Sequence, residues 1–365
     1  MRKNAITFDF YIAQKRMTQD IIFSKKMLLW YHKYRTQELP WQLNKTMYKT
    51  WLSEIMLQQT QVKTVIFYYE RFISKFPTIK QLATAELDEV LFLWSGLGYY
   101  VRARNLHKTA KIIVNHYHGN FPKDFDTLVS FPGIGKSTAG AILSLTLDQH
   151  YPILDSNVKR ILIRYYALDY SLSRNSSEVN NKLWLLIKQL LPNIGVADFN
   201  QAMMDLGRLI CTSTYPLCND CPLREGCRSF LNHCVDQYPR KKLKKKLIKK
   251  TIWFLLLLSQ QYQMKMIWLE KRSYQGIWGG LFCFPEFSTL KILNTWLLHY
   301  NLHNNQRMNL AILKHKLSNI DLEIKPILLN THKKLNYKKD GIWYDLMHPP
   351  VIGLPKPISI ILQKL

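Results

Sequence analysis

Four cysteines within a seventeen-residue stretch constrain this chain more than any other feature. Cys211, Cys218, Cys221 and Cys227 read C-x6-C-x2-C-x5-C within CTSTYPLCNDCPLREGC. They are too close for four independent disulfides. A zinc knuckle, an iron–sulfur cluster and two local disulfides are the readings that this spacing leaves open. Cys234 and Cys283 are left over; Cys234 lies nearby, but the first four make the tighter loop.

The chain has 365 residues, which predicts two domains rather than one core. Hydrophobic residues make up 47% and charged residues 21%, a composition of folded rather than disordered protein. The formal net charge of +26 favours a polyanionic partner, nucleic acid first. Lysine, asparagine, isoleucine and tyrosine are abundant, so base composition of the gene accounts for part of that charge. No stretch approaches the roughly 20 apolar residues of a membrane helix. The N-terminus MRKNAITFDFYIAQKR carries Asp9 inside its apolar part and makes a poor signal peptide. A reducing, cytoplasmic location without membrane attachment is the expectation.

From Phe23 to Asn232 the apolar spacing is helical, in FSKKMLLWYHKY, WLSEIMLQQTQVKTVIFYYERFI, LDEVLFLWSGLGYYVRARNLHKTAKIIVNHY and NNKLWLLIKQLL. Arg240 to Lys250, RKKLKKKLIKK, holds eight basic residues in eleven and reads as a linker that lies on solvent or on phosphates. Beyond it TIWFLLLLS, QMKMIWLEKR, GGLFCFPEF, LEIKPILL and GIWYDL read as strands, with one helix over 290–300. The predicted fold is mainly α, an all-α domain followed by a smaller α+β domain. No internal repeat is evident.

Three short motifs carry chemistry. In FPGIGKSTAGAIL, Gly133 and Gly135 let backbone N–H groups approach a phosphate at a helix N-terminus, with Lys136 beside them. Asp155 follows in YPILDSNVKRIL, where helix capping is its ordinary use. In WLSEIMLQQTQV, a continuous helix puts Glu54, Gln58 and Gln61 on one face and leaves Trp51, Ile55 and Met56 to the core. A carboxyl among apolar side chains tends to stay protonated.

Together these residues resemble the helix-hairpin-helix DNA glycosylase superfamily, whose endonuclease III-type members carry a 4Fe–4S loop of the cysteine spacing found here. The string LSE-x-MLQQTQV, with LPW at 39–41, GLGYY at 96–100, RARNLHK at 102–108 and FNQAMMDLG at 199–207, is similar to the MutY-type adenine DNA glycosylases. The resemblance runs from Leu28 to Cys227 nearly without gaps and more weakly to the C-terminus. It implies one 4Fe–4S cluster on Cys211, Cys218, Cys221 and Cys227. It implies base-excision repair of double-stranded DNA, removing adenine mispaired with 8-oxoguanine or guanine. The enzyme is expected to act as a monomer, in the bacterial cytoplasm, at the nucleoid through DNA.

The resemblance also assigns roles. Glu54 protonates the adenine and Asp155 stabilises the sugar cation. Trp41 and Gln201 line the adenine pocket, Gln58 and Gln59 enter the duplex, and Tyr99 wedges beside the oxidised guanine. Asn157 helps hold the site; Gly133, Gly135 and Lys136 belong to the DNA-gripping hairpin. Ser137 stands where bifunctional glycosylase/lyases carry lysine, so a hydroxyl replaces the amine that forms a Schiff base. Monofunctional hydrolysis is therefore expected, with Lys159 the lysine able to give weak trapping. An endonuclease III-like lyase and a lapsed DNA-binding relative are the alternatives.

The C-terminal part resembles the Nudix-like domain of the same enzymes. Gly280 and Glu286 fit the start of a Nudix metal motif, but STLKILNTWLLHY after them has no acidic residue. A reader rather than a second hydrolase is expected. Where relatives carry Phe-Ser-His to recognise 8-oxoguanine, this chain has Leu317-Ser318-Asn319, with Ser318 retained. The expected organisation is an extension at 1–22 and a helical domain at 23–210, its helix-hairpin-helix at 127–143. The cluster loop at 211–227, a basic linker at 228–250 and the Nudix-like domain at 251–365 follow. Met17 stands close to where relatives begin, so a downstream start is an expectation too.

Overall fold

The computed structural model describes residues 20–34, 39–169, 177–240, 247–261, 264–317, 319–331 and 340–365. The chain divides into two compact units, each built from two stretches: 1–73 with 112–243, and 74–111 with 244–365. Met17, most of the expected extension and Ser318 lie outside the described residues. The first helix, α1, already runs from residue 20 to 34, so helical structure starts before the expected boundary at 23.

Among its described residues the first unit is helix and loop. After α1 come α2 (Met47–Leu57) and α3 (Val62–Lys75, which leads out of the unit), then α4 (Ile79–Thr84) and α5 (Leu87–Trp94), which lie at 74–111 and belong to the second unit, and α6 (Val101–Tyr117, which leads back). Then follow α7 (Phe125–Ser130), α8 (Lys136–Leu147), α9 (Ser156–Tyr165), α10 (Ser177–Leu190), α11 (Val196–Leu209) and α12 (Arg228–Leu231). Phe23, Met27, Val158, Leu162, Ile187, Phe199 and Met203 close one core of this unit. Each faces inward because its helix repeats apolar residues three or four apart.

Two stretches expected as unbroken helices are interrupted, and each break has a backbone cause. The segment at 51–73 divides after Leu57, because Gln59 takes a left-handed backbone with φ 59°. The segment at 87–117 divides after Trp94, where Gly96, Gly98 and Tyr99 have φ 106°, 73° and 49°. The shared helical face expected for Glu54, Gln58 and Gln61 is therefore not formed. Gln58 caps α2 and Gln61 begins the next helix.

Among its described residues the second unit holds an eight-stranded mixed sheet: β1 (Ile248–Gln261), β2 (Met264–Lys271), β3 (Phe282–Cys283), β4 (Glu286–Phe287), β5 (Arg307–Asn309), β6 (Leu313–Lys316), β7 (Ile320–Thr331) and β8 (Gly341–Asp345). Strands β1 and β7 pair in parallel from Ile248–Ile320 to Ser259–Thr331, and the other pairings are antiparallel. Helix α13 (Leu290–His299) covers one face through Leu293 and Leu297, against Leu255, Leu257 and Leu329. Phe254 meets Phe284 and Trp278 from the alternate positions, at 5.8 and 6.4 Å between ring centroids. Both faces of β1 are buried, which is why it reads as a continuous apolar run. Helix α14 (Lys356–Leu362) ends the chain.

Two boundaries differ from the expected ones. Ile248, Lys249 and Lys250, counted in the basic linker, are the first rungs of β1, paired with Ile320, Asp321 and Leu322. Cross-strand pairing holds their backbone while the side chains stay exposed. Residues 74–111, counted in the helical domain, group with the sheet. Lys271 pairs with Asp88 at 2.9 Å, the Arg104 guanidinium donates to the Gly279 and Tyr274 carbonyls, and Leu354 N–H donates to Ser95 Oγ at 3.3 Å.

Candidate active site

The carboxyls of Glu54 and Asp155 reach one cleft of about 730 Å³ in the first unit. Glu54 stands near the end of α2, where Trp51, Leu52, Ile55 and Met56 are buried beside it. Burial first, and then the neighbouring charge of Asp155, push its carboxyl from the ordinary 4.5 up to about 8. Glu54 is therefore protonated at neutral pH.

Asp155 is delivered by the extended segment 151–155. Buried Asn200 fixes that segment: its Oδ1 accepts from Ile153 N–H at 3.2 Å and its Nδ2 donates to the Tyr151 carbonyl at 2.9 Å. A methyl group on Gly140 would meet the Pro152 carbonyl oxygen at 2.4 Å, so α8 packs this close only with glycine there. Asp155 then caps α9, accepting from Val158 N–H at 2.8 Å and from Asn157 Nδ2 at 3.0 Å. Burial lifts its pKa above the ordinary aspartate value, opposed by these donors and by Arg160. The donors favour the anion, and the Asp155 charge in turn raises Glu54, so Asp155 ionises first. One cleft thus holds two acidic side chains in unlike settings, Glu54 among apolar neighbours and Asp155 among hydrogen-bond donors.

A network braces the anion. Arg160 donates to Asn157 Oδ1 at 2.9 Å, to the Gly207 carbonyl at 2.7 Å and to the Cys211 carbonyl at 2.8 Å. Gly207 is needed for this approach, since a Cβ there would lie 2.5 Å from that of Asn157. Arg160 was not singled out from sequence, although it follows Asn157 by three on one helix.

Trp41, Gln58, Gln59, Asn157 and Gln201 also line the cleft. Trp41 is 7% exposed and packs edge-on against Tyr69 at 5.5 Å. Ser137 lines it as well, its Oγ accepting from Leu154 N–H at 3.2 Å. Among the described residues Gly133, Lys136, Lys159 and Tyr99 are not in its lining. Gly133, at φ 81°, turns the hairpin between α7 and α8, and Gly135 precedes Lys136 at the α8 N-terminus and touches the cleft. Lys159 Nζ donates to Asn180 Oδ1 at 2.8 Å, and burial lowers its pKa against the pull of Asp155. Tyr99 belongs to the second unit and is 45% exposed. Asp205 and Arg208 line the cleft without having been expected there. Their spacing from Gln201, four and seven residues along α11, is the signal that finds them.

Cys211, Cys218, Cys221 and Cys227 surround one small pocket of about 30 Å³, with Cys234 outside its lining. None of the four is in a disulfide here. Burial pushes Cys221 up to about 12, with the other three thiols adding to the shift. Arg164 Nη1 donates to Cys211 Sγ at 3.4 Å. Among the described residues no group of three or more His, Cys, Asp or Glu is arranged to hold a metal ion. Four thiols around an apolar pocket beside a guanidinium fit a cluster of net negative charge, whose irons take one thiolate each.

In the second unit Glu286 is held by Arg272 at 2.7 Å and Lys250 at 3.3 Å. Two cations satisfy the carboxylate that would begin a Nudix metal site. Leu317 N–H donates to the Ile320 carbonyl at 2.8 Å and closes the β6–β7 turn; Asn319 is exposed. Among the described residues no helix is long and apolar enough to cross a membrane.

The family model described as HhH-GPD superfamily base excision DNA repair protein matches residues 52–189, and a NUDIX domain model matches residues 254–364. The helical part is therefore a helix-hairpin-helix base-excision fold. The adenine DNA glycosylase of Buchnera aphidicola subsp. Acyrthosiphon pisum is 46% identical over 347 residues, which is 94% of this chain and 97% of that protein. The human adenine DNA glycosylase is 42% identical over 216 residues, 57% of this chain and 39% of that one. A solved thermostable thymine-DNA glycosylase shares the fold, with a TM-score of 0.53 and 24% identity, covering 60% of this chain and 99% of that chain. The chain belongs to the adenine DNA glycosylase family. It is a DNA-binding base-excision repair enzyme, a hydrolase of N-glycosyl bonds.

Proposed function

We propose that the enzyme is a monofunctional glycosylase that frees adenine from mispairs with 8-oxoguanine and with guanine. The observation that carries this reading is the meeting of Glu54 and Asp155 in one cleft. Adenine leaves the stack, at a cost of a few kcal/mol that a mispair reduces. Trp41 and Gln201 receive it, while Gln58 and Gln59 fill the duplex behind it. The left-handed backbone of Gln59 costs energy, as expected of a residue held for a task. The glycosidic bond breaks with its electron pair passing to the base, and Glu54 supplies the proton that neutralises a ring nitrogen. Asp155, held by Val158 and Asn157, stabilises the sugar cation. Water then adds at the anomeric carbon and releases a proton, leaving free adenine and an abasic site. This is the two-carboxylate logic of glycoside hydrolysis.

The hairpin residues Gly133, Gly135 and Lys136 grip backbone phosphate, which positions the strand without reading its sequence. Tyr99 wedges beside the orphaned guanine and Ser318 contacts it. Ser137 offers a hydroxyl bound to Leu154 where a lyase needs an amine, so the product strand is not cut by β-elimination. Single-turnover excision, with borohydride trapping in parallel, tests both points. Free adenine with at most weak trapping is expected; efficient trapping would overturn the monofunctional reading. Leu317 and Asn319 in place of Phe and His remove a stacking ring and an imidazole. Rates opposite guanine and 8-oxoguanine are therefore expected within about tenfold of each other, a difference of about 1.4 kcal/mol or less.

Cys211, Cys218, Cys221 and Cys227 hold one 4Fe–4S cluster in this reading, which braces the loop after α11 and adds no open ligand position for substrate. Cys218→Ser is expected to lower bound iron and sulfide, and with them the unfolding temperature. Iron and acid-labile sulfide assays with thermal denaturation measure this directly; full iron content in the variant would refute the ligand set.

A further inference from the structure

Gln201, Asp205 and Arg208 stand four and three residues apart on α11, and all three line the cleft. Gln201 Nε2 donates to Asp205 Oδ2 at 3.2 Å. Arg208 donates to the other carboxylate oxygen, Nη2 at 3.0 Å and Nε at 3.3 Å. The carboxylate is mostly buried and the guanidinium about one-third exposed, with side-chain accessibilities of 11% and 31%. A carboxylate accepts and cannot donate. Gln201 is therefore obliged to turn its NH₂ toward Asp205, which leaves Oε1 for the cleft. Among the described residues the Gln201 side chain makes no other hydrogen bond.

We propose that the Asp205–Arg208 pair sets base specificity by locking the Gln201 amide with its carbonyl oxygen toward the extruded base. This rests on the reading of the cleft as the adenine site. Adenine offers an amino donor at C6, whereas hypoxanthine and guanine carry a carbonyl acceptor at that position. A fixed acceptor bonds the first and repels the others. Without the lock a glutamine amide serves either, since it rotates to present donor or acceptor. Arg208 does more than neutralise Asp205, because its two bonds to one oxygen hold the carboxylate in place with the other oxygen against Gln201. In Asp205→Asn the single carbonyl oxygen goes to Arg208 and the NH₂ turns to Gln201. Gln201 must then reverse, offering its carbonyl to Asn and its NH₂ to the base.

The test is the ratio of single-turnover excision rates for adenine and hypoxanthine, each placed opposite 8-oxoguanine and opposite guanine. The unaltered protein is expected to favour adenine by about 100-fold or more. Asp205→Asn should shrink that ratio at least about tenfold, and Arg208→Met should shrink it as well by releasing Asp205. Gln201→Glu combined with Asp205→Asn should restore the adenine preference, because glutamate presents an acceptor in either orientation. A mere loss of stability would slow both purines alike and leave the ratio fixed. Adenine excision with a ratio unmoved in both Asp205→Asn and Arg208→Met overturns the lock alone. Excision of neither purine by the unaltered protein overturns the reading of the cleft, and the lock with it.

Discussion

Replacing Glu54 by glutamine is expected to cut single-turnover adenine excision about 10²–10⁴-fold, the usual contribution of a positioned general acid. Binding to mispaired DNA should stay within a few-fold of the unaltered protein, because glutamine keeps the size and the polar end. Burial and the Asp155 charge hold the Glu54 carboxyl near pKa 8, so the acid form predominates at pH 7 and is lost above pH 8. The rate should therefore fall on the alkaline side of pH 8 in the parent enzyme. Stability should move the other way on mutation. The folded carboxyl holds its proton more tightly than the unfolded one, so its favourable contribution is complete below about 4.5 and disappears as pH rises through 8. Glu54→Gln removes that loss, and its unfolding temperature should exceed the parent's at pH 8–9 but not at pH 4. Near-normal excision by the variant would remove Glu54 from its role.

Asp155→Asn should cost about 10²–10³-fold in excision, the range seen when a preorganised charge-stabilising group is lost. This substitution separates two duties of one side chain. Asparagine caps helices about as well as aspartate, so α9 keeps its first turn and the fold stays intact. The negative charge facing the sugar cation is gone. Asp155→Ala loses both, and its unfolding free energy should drop by about 1 kcal/mol more. Measured excision rates and denaturation midpoints on the two variants distinguish cap from charge. If Asp155→Asn turned over like the parent, no cation-stabilising role would survive. Since burial raises the Asp155 pKa, the acid side of the rate profile should be displaced upward from where an ordinary aspartate would put it.

Much of this was legible beforehand because the periodicities are strong. The long helical repeats and the apolar run of β1 announced their elements, and Gly133 and Gly135 marked the hairpin between α7 and α8. The misreadings have local causes. Gln59 and Tyr99 adopt left-handed backbones that nothing in their residue type announces, so two helices read as longer than they are. Ile248 to Lys250 looked like linker because charge dominates there, yet strand pairing needs only backbone, and Ile320 to Leu322 supplies the partner from more than 70 positions away. The orientation of Gln201 depends on its meeting the acceptor-only carboxylate that Arg208 holds, a fact of three dimensions that spacing hints at without fixing.

The grouping of residues 74–111 with 244–365 has a consequence for how such a protein is inherited. Asp88 anchors Lys271, Arg104 grips the carbonyls of Gly279 and Tyr274, and the tight approach of Gly353 to Leu91 would admit no side chain. A gene fragment spanning only the C-terminal third encodes a sheet stripped of these helices. The sheet's evolution is tied to that of a segment coded more than 130 codons upstream, and compensating changes should be sought there.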